Sequence, residues 1–344
     1  MKRFVSSLLV IAFLFLTTGC ATTARKSILP EQRAQIGSTK LILEIPQEEV
    51  FVTFNANSSA SMTGAIVGGP IGALIGGVID ASIIAERQKN MIAQIQPLRT
   101  ALKYYNFSDE YGSSLEKAIK PIEWIKSESY QVQNLKKSQL NKLIINMEEN
   151  SLFDINTKYY LSDDYKKMII EATAGMYKKD IAIEESKKPV RDQETPGQIS
   201  STSKRDASLG MIFWTTLAYQ SSEIEAVDNN DAVKKWAANN GEKFKKAVME
   251  GAEEIAKLLA YDLLNPVDII IPEKEPEMVT SNEIPSHNNG ERGPNEVSTK
   301  PIKQKMTLIK ENLGRKIVRL NNGMLISLPN DDLVISKFYS SMSY

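Results

Sequence analysis

A chain of 344 residues is long enough for one sizeable core with appended segments. Lys plus Arg and Asp plus Glu number 42 each, so the net charge is zero, and no basic field exists to attract nucleic acid. A single cysteine excludes an intrachain disulfide, leaving packing to hold the fold.

The first twenty residues read as an address. Lys2 and Arg3 give a positive start, 4–16 is a short apolar run, and Thr17-Thr18-Gly19-Cys20 closes it with small residues. An apolar run of about a dozen residues is too short for a bilayer about 30 Å thick, which needs about 20. The ending resembles the lipobox of bacterial lipoproteins, in which the cysteine is acylated and becomes the new N-terminus. One position departs from that pattern: Thr17 stands where Leu is usual, with Leu16 one place further out. The alternative is an ordinary secretory signal cut near 21–24. The resemblance to Gram-negative envelope lipoproteins implies a signal peptide over 1–19, lipid on Cys20, and, since Ala21 rather than Asp follows, the outer membrane facing the periplasm.

Residues 20–38, small and polar with scattered charge, suit a flexible tether. In 39–61 two short strands are expected, over 40–45 and 50–54, from the alternation of Leu41, Leu43 and Ile45 and of Val50, Val52 and Phe54.

The segment 62–86 is the most unusual. Gly64, Gly68, Gly72 and Gly76 recur every fourth residue, and Gly69 and Gly77 belong to the adjacent row with Ala65, Ala73 and Ala81. On a helix both rows form one face with almost no side chain. Each interior glycine costs about 0.5–1 kcal/mol against alanine, and Pro70 adds a kink. Such a helix needs lipid or a partner packed closely on the small face. At about 1.5 Å per residue, 62–85 would extend about 36 Å, enough to span. The pattern is similar to the glycine-zipper segments of envelope proteins. It implies insertion in the membrane or association with copies of itself, and the alternative is packing inside its own domain.

An α+β domain is expected over 87–265. Helical spacing marks 88–105, 109–120 and 138–149, with Ser108 expected as the cap of the second helix; 121–134 reads as weakly extended. Strands are expected over 152–161, 165–177 and 209–220, with Ser162-Asp163-Asp164 as a turn and one face of the second strand buried, making a three-stranded antiparallel meander. The charged run 178–208 reads as a mobile loop. Residues 228–264 carry a long apolar stripe through Val233, Trp236, Phe244, Val248, Ile255 and Leu259, with Asn239-Asn240-Gly241 as a bend or break. This stripe should cover one face of the sheet. The order of elements resembles envelope lipoproteins without an assigned function.

Residues 266–305 hold Pro272, Pro276, Pro285, Pro294 and Pro301 and read as a disordered linker. In 306–344, Asn321-Asn322-Gly323 between two apolar runs predicts a β-hairpin, too small to be stable alone, which should dock on the main domain, a copy or a partner.

Chemistry finds little to build with. The one histidine, His287, falls in the linker, so there is neither a Ser/His/Asp set nor a histidine metal site. Asp163 and Asp164 are paired carboxylates in a turn, Trp124, Trp214 and Trp236 read as core aromatics, and the glycines lack the Lys-Ser of a phosphate loop. No catalytic residue, metal or cofactor is expected. The expected role is binding and assembly at the envelope, through membrane lipid at Cys20, a homo-oligomer of the glycine segment, or an envelope protein partner, with no nucleic acid. A subunit of an oligomeric pore or secretion assembly is the alternative, and a carboxylate-dependent hydrolase has the least support.

Overall fold

The computed structural model describes residues 25–47, 49–52, 81–127, 130–187, 209–266, 306–312, 314–320 and 323–330. Among them the chain is mixed α/β, with six helices and an open sheet of nine strands whose long ladders are antiparallel. Cys20, the glycines from Gly64 to Gly77, the linker at 267–305 and His287 lie outside the described residues.

The centre is the expected meander. Strands β4 (Ser151–Leu161), β5 (Met168–Lys178) and β6 (Met211–Gln220) pair antiparallel, Leu161 opposite Met168 and Ala174 opposite Thr215. The turn between β4 and β5 holds Tyr165 at φ 61°, a left-handed conformation uncommon for a bulky residue. Two contacts fix it there: the Trp236 indole N–H donates to the Tyr165 carbonyl at 2.8 Å, and the Tyr165 hydroxyl donates to Gln94 Oε1 at 2.7 Å.

On one flank β1 (Thr39–Glu44) and β2 (Phe51–Val52) pair parallel with β4, and β3 (Tyr130–Val132) pairs parallel with β1. The sheet is therefore mixed at its margins, where an antiparallel one was expected. On the other flank the C-terminal unit has three strands, β7 (Met306–Asn312), β8 (Arg315–Leu320) and β9 (Leu325–Pro329), instead of a two-stranded hairpin. It docks on the main domain: β9 runs parallel beside β6, with Leu217 opposite Leu325. Arg315 fastens the joint, donating to the carbonyls of Gln220 (2.8 Å) and Ser327 (2.9 Å) while its guanidinium lies 4.3 Å from the Tyr219 ring centroid.

Helices α2 (Ala81–Ala101), α3 (Phe107–Ile119) and α6 (Asn229–Leu264) cover one face, packing Leu98, Tyr111, Leu115, Val248, Ile255 and Leu259 against Phe153, Ile155, Ala172, Phe213 and Leu217. The cap of α3 is Asn106, whose side chain accepts from Ser108 N at 3.2 Å; Ser108, the expected cap, is the donor. The break in α6 falls where the sequence places it, with Asn239, Asn240 and Gly241 at φ 51°, 59° and 76°. Asn and Gly are the residues that enter this region at least cost.

Three further expectations change. All eleven residues of β5 are buried, not one face of it. The loop foreseen over 178–208 starts as helix α5 (Lys179–Lys187), which with α4 (Lys137–Asn146) packs on the opposite face of the sheet, around Ile42, Leu152 and Tyr177. The helices thus lie on both faces. The tether foreseen over 20–38 is, from Arg25 on, part of the body: Lys26 forms a bridge with Trp214, Pro30–Arg33 is a short helix α1, and Ile28 and Ile36 are fully buried.

Candidate functional site

Two places in the fold concentrate polar groups that packing alone does not require. The first is the middle of the sheet face that carries α4 and α5 at one end and Tyr160 with Ile169 at the other. Strand alternation sends Glu44, Asp154, Asn156, Lys158, Glu171, Thr173 and Thr216 to this face. The register sets Glu44, Asn156, Thr173 and Thr216 in one row and Lys158 beside Glu171 in the next.

Asn156 Nδ2 donates to Glu44 Oε2 at 2.9 Å. Asp154 Oδ1 is closed off from solvent and, among the described residues, accepts no hydrogen bond. Burial holds the Asp154 carboxyl well above the usual carboxylate range, and the neighbouring Glu44 charge pushes it the same way. Burial also raises Glu44, partly offset by the hydrogen bond from Asn156, and it lowers Lys158 against the pull of Glu171. This strip can donate and accept hydrogen bonds, with Asp154 inclined to hold a proton. Among the described residues no three His, Cys, Asp or Glu side chains are grouped to hold a metal ion.

The second place is where the N-terminal segment meets the body. Asp262, near the end of α6, is fully buried; its Oδ1 accepts from Arg319 Nη2 at 2.5 Å and lies 2.8 Å from Arg25 Nε. Arg25 also donates to the carbonyl of Asn265 at 2.6 Å, Ser27 to that of Pro266 at 3.1 Å, and Arg33 to those of Leu263 and Leu264 at 3.0 Å each. These cations close the open carbonyls at the end of α6, where the helix dipole favours positive charge. One carboxylate thereby ties the N-terminal segment, the longest helix and the C-terminal strands together.

Residues singled out in the sequence are scattered. Asp163 and Asp164 lie in the expected turn, where Asp164 Oδ1 accepts from Ser162 Oγ (2.5 Å) and Lys166 N (3.1 Å). Trp236 is core; Trp124 is packed at its margin with the Arg33 guanidinium 5.6 Å from the ring centroid; Trp214 is half-buried on the polar face. Glu185, expected in a solvated loop, accepts from Gly210 N at 2.6 Å. Neither Asp262 nor the polar strip stands out in the sequence. The signal for the strip was the alternation of Glu171 and Thr173 with apolar neighbours, and for the clamp an acid inside the apolar end of α6.

No family model matches the chain, and a search of curated proteins finds no match. Among the described residues no helix is long and apolar enough to cross a membrane.

Proposed function

We propose that this protein is a lipid-anchored component of the cell envelope that acts by binding and assembly, with no catalytic step of its own. Acyl chains on Cys20 hold it to the membrane, the outer membrane on its periplasmic side. The row of Gly64, Gly68, Gly72 and Gly76, with Gly69 and Gly77, packs closely against membrane or against copies of itself. The α+β body presents its surface to an envelope partner.

The observation that carries the reading is the order at the start of the chain: a positive pair, a short apolar run, small residues and the sole cysteine, with the packed body taking over at Arg25, five residues on. A pore or secretion subunit is a second reading, favoured by the strict fourfold repeat of glycine. Membrane fractionation tests the anchor: Cys20→Ser should move the protein from the membrane pellet to the soluble fraction, and retention in the pellet contradicts it. Native gels of detergent extracts test the glycine row. Gly68→Leu with Gly72→Leu should dissolve an oligomer held by that face, and an unaltered size means that the glycines pack internally.

A further inference from the structure

The body surface around the N-terminal clamp has a geometry that limits how the molecule can sit on a lipid layer. Arg25 is fixed to Asp262 with only 12% of its side chain exposed. It lies five steps along the chain from Cys20, and a fully extended chain covers at most about 3.5 Å per residue, so an acylated Cys20 is held within about 18 Å of the clamp. Of the large apolar side chains left exposed among the described residues, Leu29 and Leu264 belong to the segments joined at this point. Leu29 (48% exposed) opens α1, which runs against the end of α6 through the bonds from Arg33 to Leu263 and Leu264, and Leu264 itself is 49% exposed. Exposed Lys26 lies in the same segment.

The opposite end of α6 is far away. From Asp262 back to Gly241 the helix climbs about 31 Å at about 1.5 Å per residue. At Gly241 it meets Leu102, and two residues further on Tyr104 is 92% exposed. Tyr104 is therefore a larger exposed apolar group than either leucine, yet it is beyond the reach of the chain that would carry the lipid. A side chain at that end meets the anchoring bilayer only if the body lies flat or tips over toward it.

We propose that the end of the body bearing Leu29, Leu264 and Lys26 is the surface that rests on the anchoring lipid layer. Leu29 and Leu264 enter the headgroup boundary, and the α6 break with Tyr104 points away from it. A leucine pair on a polar body matches the shallow burial of interfacial apolar groups, and Lys26, whose ammonium donates to the Met211 carbonyl, adds a positive charge at the same end. The clamp makes the contact specific, because a flexible tether of the full 20–38 length would leave the body free to tumble. This inference rests on the acylation of Cys20 proposed above.

The test uses the full-length protein in native-composition vesicles. Once Cys20 is acylated it has no free thiol, so Leu29→Cys, Leu264→Cys and Tyr104→Cys each introduce a single reactive site. An environment-sensitive fluorophore on each thiol is read against a quencher carried on the lipid headgroup, and the intact mass of each sample reports the acyl chains. Quenching several-fold stronger at 29 and 264 than at 104 is expected. Equal quenching at all three sites means a flat body, and stronger quenching at 104 means an inverted one. Weak quenching at all three means a body held off the bilayer, with its leucines covered by another copy or partner. Any of these in acylated protein overturns the orientation while leaving the anchor intact. A mass without acyl chains overturns the anchor and the orientation together.

Discussion

Replacing Asp262 with Asn should loosen the whole N-terminal end of the molecule. The substitution keeps the shape and removes the negative charge that Arg25 and Arg319 share, their side chains being 12% and 8% exposed. Breaking a buried ion pair by removing one partner costs about 3–5 kcal/mol, because the charge left behind is uncompensated. Here the guanidinium groups keep neutral acceptors, with Arg25 on the carbonyl of Asn265 (2.6 Å) and Arg319 on that of Gly323 (2.7 Å). The lower figure, about 3 kcal/mol, is therefore expected. At about 2–4 °C per kcal/mol for a domain of this size, Tm should fall by about 6–12 °C. Thermal unfolding followed by circular dichroism measures the fall. Trypsin at 25 °C supplies the local readout, since cleavage after Arg25 or Lys26 should accelerate before the rest of the body is cut. A double-mutant cycle with Arg319→Met sharpens the test: the second change should cost less in the Asp262→Asn background than alone, as it does for groups sharing one interaction. A Tm within about 2 °C of the parent, with unaltered trypsin cleavage, would refute the idea that Asp262 holds the three segments together.

Trp236→Phe keeps the ring in the core and leaves the Tyr165 carbonyl without its buried donor. A loss of about 1–3 kcal/mol is expected in urea titration, and an unchanged midpoint would contradict it. Gly251 sits where α6 presses on the sheet, and a Cβ there would come within 2.6 Å of Tyr219 and 2.7 Å of Ile170. Gly251→Ala gains about 1 kcal/mol of helix propensity, but the overpacking costs about 1–3 kcal/mol. The net result should be a small loss, whereas a gain in Tm would mean that the two layers have room to part. Asp154 is raised by burial and then by the Glu44 charge, so its contribution to stability is complete below the ordinary carboxylate range, about pH 4, and declines as pH rises through the raised value. Asp154→Asn should therefore raise Tm near pH 7 and lose that advantage near pH 3; an equal effect at both pH values would dismiss the carboxyl as the cause.

The parts of the fold legible in the sequence were those whose signal is local. Alternation over Met168–Lys178 and Met211–Gln220 marked the meander, and two Asn-Asn-Gly triplets marked the break in α6 and the turn before β9. What escaped was decided by distant contacts. Ile28 and Ile36 are apolar residues in a polar run, without a period, and distant contacts of the folded chain, marked by the bridges from Lys26 to Trp214 and from Ser38 to Lys126, make them core. Helix α5 buries only Ala182, so its sequence of Lys, Asp and Glu reads as solvated loop. Strand β3, three residues long, lies in the stretch 121–134 that reads as weakly extended, but its parallel pairing with β1 is a distant contact that no local pattern records. The polar strip was half visible: alternation placed Glu171 and Thr173 on the second face of β5, but the burial of that face depends on the neighbouring strands and what lies over them. The clamp was out of reach because its three residues, Arg25, Asp262 and Arg319, are brought together only by the folded chain.

Intact mass spectrometry of the protein purified from membranes bears most directly on the anchored reading. It should find a chain beginning at Cys20 and carrying fatty acyl mass on that residue. A chain still beginning at Met1, or one starting beyond Cys20 without added lipid, would contradict it.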